Sequence, residues 1–151
     1  MTPSKTIALA GDHAGVRLKS IVKDYLAELG FEALDLGPDS AESVDYPDFG
    51  YKLAAAIANG EADRGIAICG SGIGISMALN RHPDIRCALV TNGLMARLSR
   101  AHNDANVLAL GDRLTGDDTA KDCVREFIET RFEGGRHQRR VNKLANPTLQ
   151  V

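Results

Sequence analysis

Short apolar runs alternate with amphipathic helical patterns along most of the chain. Five runs are predicted strands, at 6–10, 31–36, 65–69, 85–90 and 106–110. Apolar residues at helical spacing predict helices over about 16–29, 48–59, 74–81, 94–102 and 117–132, the last of them capped by Asp117. The strands are continuously apolar, which is typical of a sheet covered on both faces. The pattern therefore predicts an α/β fold, a Rossmann-like three-layer α/β/α sandwich around a five-stranded parallel sheet.

Length and composition fit one domain. The 151 residues carry a net charge of −2, so neither nucleic acid nor an anionic membrane is an expected partner. The three cysteines form no CxxC pair, and the apolar stretch near the N-terminus is too short for a signal peptide. We therefore expect a cytoplasmic protein with reduced thiols. Residues 1–151 are predicted to form a single domain, with a basic helical tail over about 133–151.

The segment 67–76, AICGSGIGIS, is the most informative stretch of the sequence. A predicted strand ends at Cys69, and glycines recur at positions 70, 72 and 74 before a helical pattern begins. Such a turn directs backbone N–H groups and a helix dipole at one spot, which suits a phosphate or an oxyanion and favours a thiolate. The turn matches neither GxGxxG, Walker A nor GxSxG. A tight strand-to-helix connection beside a core cysteine is the alternative interpretation.

Polar residues follow other predicted strands at the same edge of the sheet. Asp12 and His13 come after the first strand, Thr91 and Asn92 after the fourth, and Arg113 shortly after the fifth. Ligands of open parallel sheets bind outside the carboxyl ends of the strands, so these are candidate site residues. Asp12 and His13 are equally consistent with a helix cap beside a solvated imidazole.

Two further groups of residues each have a chemical and a structural interpretation. His102, Asn103 and Asp104 end a predicted helix, where they are either site residues or a C-terminal cap. Arg136 and Arg140, at i and i+4 in the basic tail, suit a phosphate clamp but also fit a solvated basic face. The histidines and aspartates near the strand ends have no metal-ligand spacing, so no metal site is expected.

Five motifs, spread in order over nearly the whole chain, resemble those of one enzyme family. They are GDHAG at 11–15, DYPD at 45–48, ICGSGIGIS at 68–76, SRAHNDANVLALGDR at 99–113 and EGGRHQRR at 133–140. The family is that of ribose-5-phosphate isomerase B, which also includes the galactose-6-phosphate isomerase subunits. Some members lack the cysteine and carry a glutamate at the position of Ile75, so the resemblance implies that this chain is of the cysteine type. Ser71 stands where threonine is commonest and keeps the hydroxyl group.

The resemblance implies a role for each matching residue. By position, Cys69 is the base that moves a proton between C1 and C2, and His102 opens the sugar ring. The implied substrate-binding residues are Asp12, His13, Gly70, Ser71, Gly72, Ile73, Gly74, Asn103, Arg113, Arg136 and Arg140, and Tyr46 is expected to line the site. Within this set the amides of the glycine turn hold the enediolate oxygen, and the three arginines hold the phosphate.

The reaction that the resemblance implies is the interconversion of ribose 5-phosphate and ribulose 5-phosphate through an enediolate, without cofactor or metal. It also implies a homodimer, or a dimer of dimers, whose active sites combine residues from both chains. The alternatives are an isomerase of a hexose 6-phosphate, such as galactose or allose 6-phosphate, and a non-catalytic sugar-phosphate-binding module. The presence of both Cys69 and His102 argues against the binding module, because holding a phosphate requires neither residue.

Overall fold

Residues 4–149 are described by a computed structural model, in which five parallel strands form one sheet. The strands are β1 (Thr6–Gly11), β2 (Glu32–Asp35), β3 (Arg64–Cys69), β4 (Cys87–Leu89) and β5 (Val107–Gly111). The helices are α1 (Val16–Glu28), α2 (Tyr46–Ala58), α3 (Ile73–Leu79), α4 (Gly93–Asn103), α5 (Asp117–Glu129) and α6 (Arg136–Leu144), and a 3₁₀ turn spans His13–Gly15. The predicted α/β class and the parallel sheet are confirmed.

The strand order β2-β1-β3-β5-β4 determines where a ligand can bind. The connection after β1 leads to β2 at one edge of the sheet, whereas the connection after the adjacent β3 leads to β4 at the other edge. In open α/β sheets the ligand site lies at such a switch point, outside the carboxyl ends of the strands. The residues that follow β1 and β3, together with those after the adjacent β5, are therefore the ones in position to form a site.

Alternate residues of the central strands pack into two apolar layers. Large side chains on one face pack with α1, α4 and α5; they include Ile7, Leu9, Ile66, Ile68, Leu108 and Leu110. The opposite face carries mainly small side chains against α2 and α3; they include Ala8, Ala10, Ala67 and Ala109. Cys69, the last residue of β3, belongs to this second face. Its thiol therefore lies on the side of the sheet that α2 and α3 cover.

Strand β4 is shorter than the predicted run of 85–90. It spans only Cys87–Leu89, because the N–H group of Arg86 donates to the side chain of Asn106 at 2.8 Å instead of joining a strand ladder. Helix α2 begins at Tyr46, two residues before the predicted start, and the following Pro47 occupies a position in the first turn where its missing N–H has no cost.

The prediction that Asp117 caps α5 is wrong. Gly116 holds the cap position without a side-chain hydrogen bond, and the Asp117 carboxylate accepts from the guanidinium of Arg17 at 2.9 Å. α5 also ends at Glu129 rather than near residue 132, because Thr130 has extended backbone. Within residues 4–149, no helix combines the length and the apolar character that crossing a membrane requires.

Candidate active site

A cleft of about 230 Å³ opens at the switch point above β1 and β3. It is lined by Asp12, His13, Ala14, Tyr46, Cys69, Gly70, Ser71, Gly74 and Arg113. All of these except Ala14 are residues that the sequence analysis assigned to the site. Gly72 and Ile73 belong to the same turn, where Gly72 is buried and the Ile73 side chain is exposed. Asn92, after β4, instead caps α4 by accepting from the N–H of Met95 at 2.9 Å.

The Cys69 thiol is held by the turn that follows β3. The residue is 4% exposed, and its Sγ accepts a hydrogen bond from the N–H of Gly72 at 3.1 Å. Gly72 has a φ of +76° and precedes the first residue of α3, so a side chain there would strain the backbone. A donated N–H beside a helix N-terminus stabilises negative charge, which suits a sulfur that acts as a base.

Two amides of the glycine turn already have acceptors within the chain. The N–H of Gly72 donates to the Cys69 sulfur, and the N–H of Ile73 donates to the Ser71 hydroxyl at 3.1 Å. The predicted oxyanion role therefore requires either the other amides of the turn or an exchange of acceptors when a ligand enters. The Ser71 hydroxyl orders the turn, which gives a structural reason for a hydroxyl-bearing residue at this position.

Two glycines let larger side chains approach the cleft. A Cβ at Gly74 would lie 2.7 to 2.9 Å from ring carbons of Tyr46, so only glycine admits the ring at its present position. A Cβ at Gly70 would lie 3.2 to 3.3 Å from the guanidinium of Arg113. Tyr46 therefore forms one wall of the cleft, and an exposed arginine able to bind phosphate lies directly over the turn.

Asp12 and His13 are both oriented by the loops around them. One carboxylate oxygen of Asp12 accepts from the N–H of Ala14 at 2.9 Å, so the residue does cap the 3₁₀ turn while it also lines the cleft. The Nδ1 atom of His13 accepts from the N–H of Val44 at 3.1 Å. With Nδ1 as acceptor, the proton of the neutral imidazole is on Nε2, which can donate to a ligand.

The remaining predicted residues lie elsewhere in the chain. His102, Asn103 and Arg140 line a second cleft of about 320 Å³, which is formed where α6 packs on the end of α4. Arg136 is exposed at the first residue of α6. One chain thus brings the predicted base together with Asp12, His13 and Arg113, but places the predicted ring-opening histidine in a different cleft.

The other two cysteines differ from Cys69 in their surroundings. Burial raises the pKa of Cys87 to about 12. Burial, helped by the negative charge of Asp122, raises the pKa of Cys123 to about 11. All three cysteines are free thiols; Cys123 is fully buried in α5, whereas Cys87, on β4, is partly buried and lines another cleft together with Asn80 and Arg86. Cys69 differs from both because its sulfur accepts an N–H from the glycine turn and lines the same cleft as Asp12.

The family model described as Ribose/Galactose Isomerase matches residues 7–144. The chain belongs to the ribose/galactose isomerase family. The match covers every motif that carried the resemblance, from the strand before Asp12 to the end of α6.

Individual members of the ribose/galactose isomerase family are similar over nearly their whole length. Ribose-5-phosphate isomerase B of Escherichia coli is 45% identical over 140 residues, 93% of this chain and 94% of that protein. A putative sugar phosphate isomerase of Bacillus subtilis is 43% identical over 141 residues, covering 93% and 95% of the two chains. The solved structure of Clostridium thermocellum ribose-5-phosphate isomerase B has a TM-score of 0.91 and 52% identity, over 93% of this chain and 95% of that one.

Sequence reasoning missed two residues beside His102. Its ring is stacked on that of His137, and the carboxylate of Glu133 lies next to both imidazoles. Both residues are part of the EGGRHQRR motif, but nothing in a single sequence shows which side chain a basic tail packs against. Asp104 is the C-terminal cap residue of α4, and its carboxylate accepts from Arg86 and Arg100.

Proposed function

We propose that this member of the ribose/galactose isomerase family interconverts ribose 5-phosphate and ribulose 5-phosphate. The observation that carries the proposal is the Cys69 thiol, which accepts an N–H from the glycine turn and faces a cleft shared with Asp12, His13 and Arg113. A base, polar side chains for hydroxyl groups and a cation for a phosphate are the parts that an aldose–ketose isomerisation of a sugar phosphate requires.

The proposed chemistry is a proton transfer between neighbouring carbons. His102 protonates the ring oxygen as the furanose opens. Cys69, as the thiolate, then removes the proton from C2, and the electron pair forms the C1–C2 double bond of an enediolate. The thiol returns the proton to C1 while the hydroxyl proton of the C2 oxygen moves to the C1 oxygen and the C2 oxygen becomes the carbonyl, so that atoms and charge balance without an added oxidant or reductant. Amides of the glycine turn stabilise the negative oxygen of the intermediate.

Ribose 5-phosphate is the substrate that the relatives support best. The family description includes galactose, but the Escherichia coli relative and the Clostridium thermocellum structure are both named for ribose 5-phosphate isomerisation. A comparison of turnover with ribose 5-phosphate, galactose 6-phosphate and allose 6-phosphate tests the choice. Faster turnover of either hexose phosphate would contradict it.

We propose in addition that the active site is completed by a second copy of the chain. The separation of Cys69 and His102 into two clefts supports this, because one reaction needs both groups at one sugar. Helix α3, which follows Cys69, and helix α4, which carries His102, also expose apolar pairs at i and i+4: Ile73 with Met77 on α3 and Leu94 with Leu98 on α4. Exposed apolar side chains in such rows are typical of protein–protein contact surfaces.

The base is tested by Cys69→Ala. General-base catalysis contributes about 10²–10⁴-fold, so isomerisation is expected to fall at least 100-fold while a phosphorylated inhibitor still binds. Cys87→Ala and Cys123→Ala are matched controls, since neither residue lines the cleft of Cys69 and both packed side chains are expected to affect stability more than turnover. Isomerisation by Cys69→Ala at the wild-type rate would refute the assignment.

The shared site is tested by mixing two inactive variants. Cys69→Ala and His102→Asn each lose one half of the site, so a mixed dimer contains one intact pair and regains activity. Subunit exchange is followed independently by native mass spectrometry. Absence of regained activity in a mixture that contains the mixed dimer would show that each site is built within one chain.

We also propose a cytoplasmic location. The three free thiols support it, because reduced cysteines are typical of the cytosol. Detection of the protein by antibody in fractionated cells tests the location. The prediction of a single domain over 1–151 stays a prediction, and residues 1–3, 150 and 151 lie outside the described residues.

A further inference from the structure

The imidazole of His102 lies flat against a second imidazole. The ring centroids of His102 and His137 are 4.4 Å apart, and their planes differ by 13°. His102 is in the last turn of α4 and its side chain is 37% exposed, whereas His137, the second residue of α6, is 7% exposed. The buried ring thus forms a support for the accessible one.

An exposed carboxylate lies near both rings. The Glu133 Oε2 atom lies 3.4 Å from Nε2 of His137 and 3.9 Å from Nε2 of His102, and the Glu133 side chain is 56% exposed. Backbone hydrogen bonds hold the segment that carries it: the N–H of Glu133 donates to the carbonyl of Ala101 at 3.0 Å, and the N–H of His137 donates to the carbonyl of Gly134 at 3.0 Å. The segment before α6 is therefore bonded directly to the turn of α4 that carries His102.

The surroundings of His137 shift its pKa. Burial lowers the pKa of His137, and the positive charges of Arg136, Arg140 and a protonated His102 lower it further, while Glu133 opposes the shift. Its buried Nε2 atom also has no hydrogen-bond partner among residues 4–149. These surroundings favour the neutral form of the His137 ring, and a neutral ring can stack on its neighbour without the repulsion of two imidazoliums in contact.

We propose that His137 and Glu133 are positioning residues for the ring-opening step, in which the His137 ring fixes the plane of His102 and the Glu133 carboxylate stabilises the proton on it. The proposal rests on the proposed function. The three side chains could also be considered as ligands of one metal ion, since their ligand atoms lie within 4.8 Å of one another. The parallel rings favour stacking instead, because in-plane lone pairs of parallel rings do not converge on one point.

The test separates ring opening from proton transfer. Exchange of the C1 hydrogen of ribulose 5-phosphate with D₂O proceeds through the enediolate and needs no ring step, whereas isomerisation that starts from cyclic ribose 5-phosphate needs both. Proton NMR measures the two rates in parallel samples, one started from each sugar phosphate. We expect His137→Ala and Glu133→Gln to lower isomerisation by about 10–100-fold, the cost of misplacing a catalytic group by about 1 Å. Exchange is expected to stay within about threefold of wild type, because Cys69 and its turn are untouched.

Rescue and control variants complete the experiment. His137→Phe keeps a flat buried ring and is expected to recover most of the isomerisation that His137→Ala loses. Gln138→Ala, next to it on α6 and exposed, is the control that leaves both rates unchanged. A wild-type protein that does not isomerise ribose 5-phosphate would refute the proposed function instead.

Two results would overturn the positioning role while the proposed function stands. One is an equal loss of exchange and isomerisation, or no loss of either, in both His137→Ala and Glu133→Gln. The other is loss of wild-type activity on treatment with EDTA and its recovery with Zn²⁺, which would make the cluster a metal site.

Discussion

Replacing Gly74 by alanine perturbs one wall of the cleft without touching the base. The new Cβ would lie 2.7 Å from the Cζ atom of Tyr46, whereas carbon atoms in contact prefer about 3.5–4.0 Å. The ring must therefore move by about 1 Å, and at 40% exposure it has room to do so. Because a displacement of about 1 Å costs up to ~10²-fold in rate, we expect kcat/KM for ribose 5-phosphate to fall by about 10–100-fold.

Stability is expected to change little in the same variant. Gly74 is the second residue of α3, so alanine gains about 1 kcal/mol in helix propensity, which offsets part of the cost of crowding, about 1–3 kcal/mol. Gly116→Ala is the matched control for rate, since a Cβ there has no described atom within 4 Å, so kcat/KM is expected to stay near wild type; its melting temperature is expected to fall, because alanine is a poorer N-cap of α5 than glycine. In a Tyr46→Ala background the added Gly74→Ala is expected to cost less than about threefold, because the clash is gone. An equal loss in both backgrounds would show that the Tyr46 contact is not the cause.

The remaining predictions concern thiols and charge. In Cys69→Ala the remaining thiols are Cys87, with a pKa raised to about 12, and Cys123, with a pKa raised to about 11. At pH 8 only about 10⁻⁴ of Cys87 and about 10⁻³ of Cys123 is therefore ionised. Mass spectrometry should find no alkylation of either thiol by iodoacetamide until urea unfolds the chain. Asp35→Ala removes the nearest carboxylate of the Lys19 ammonium, and the Lys19 side chain is only 4% exposed. The free energy of unfolding, measured in urea, should therefore fall by about 3–5 kcal/mol. A fall of less than about 1 kcal/mol would contradict this. Burial alone would raise the pKa of Asp35, but Lys19 and nearby N–H donors hold it below 3.8, so the stability from this carboxylate is present above pH 3.8 and is lost as the pH falls through the folded-state pKa.

The sequence predicts the sheet well because its strands are buried on both faces. Runs such as 6–10 and 106–110 are apolar throughout, and each is followed by helical spacing, so element type and parallel pairing follow together. The carboxyl-edge rule then places Asp12, His13 and Cys69 near one another before any coordinates are known. The strand order, with β5 between β3 and β4, has no such local signal.

What the sequence misses depends on contacts between distant residues. Aspartate is a favoured residue at a helix N-cap, but the carboxylate of Asp117 accepts instead from Arg17, 100 positions earlier in the chain. The stacking of His137 on His102 depends on how α6 docks, and the apolar residues of that helix do not specify the site of docking. The division of the predicted site into two clefts is likewise a property of the folded surface rather than of any motif.

The N–H of Asp12 donates to the carbonyl of Ile68 at 3.1 Å, and a Cβ at Gly11 would lie 2.5 Å from that same oxygen. The end of β1 thus contacts Ile68, the residue before Cys69, directly. The parts of the first cleft that follow β1 and β3 therefore form one rigid unit. A ligand confined to this cleft meets one long, exposed side chain, that of Arg113, and the other lining groups are held by the fold, so little of its interaction energy is spent on ordering. A ligand that also reaches Arg136 must immobilise a further long, exposed side chain, at about 0.5–1.5 kcal/mol for each such residue. Inhibitors are therefore expected to gain more affinity per contact from the β1–β3 edge than from the exposed arginines of α6.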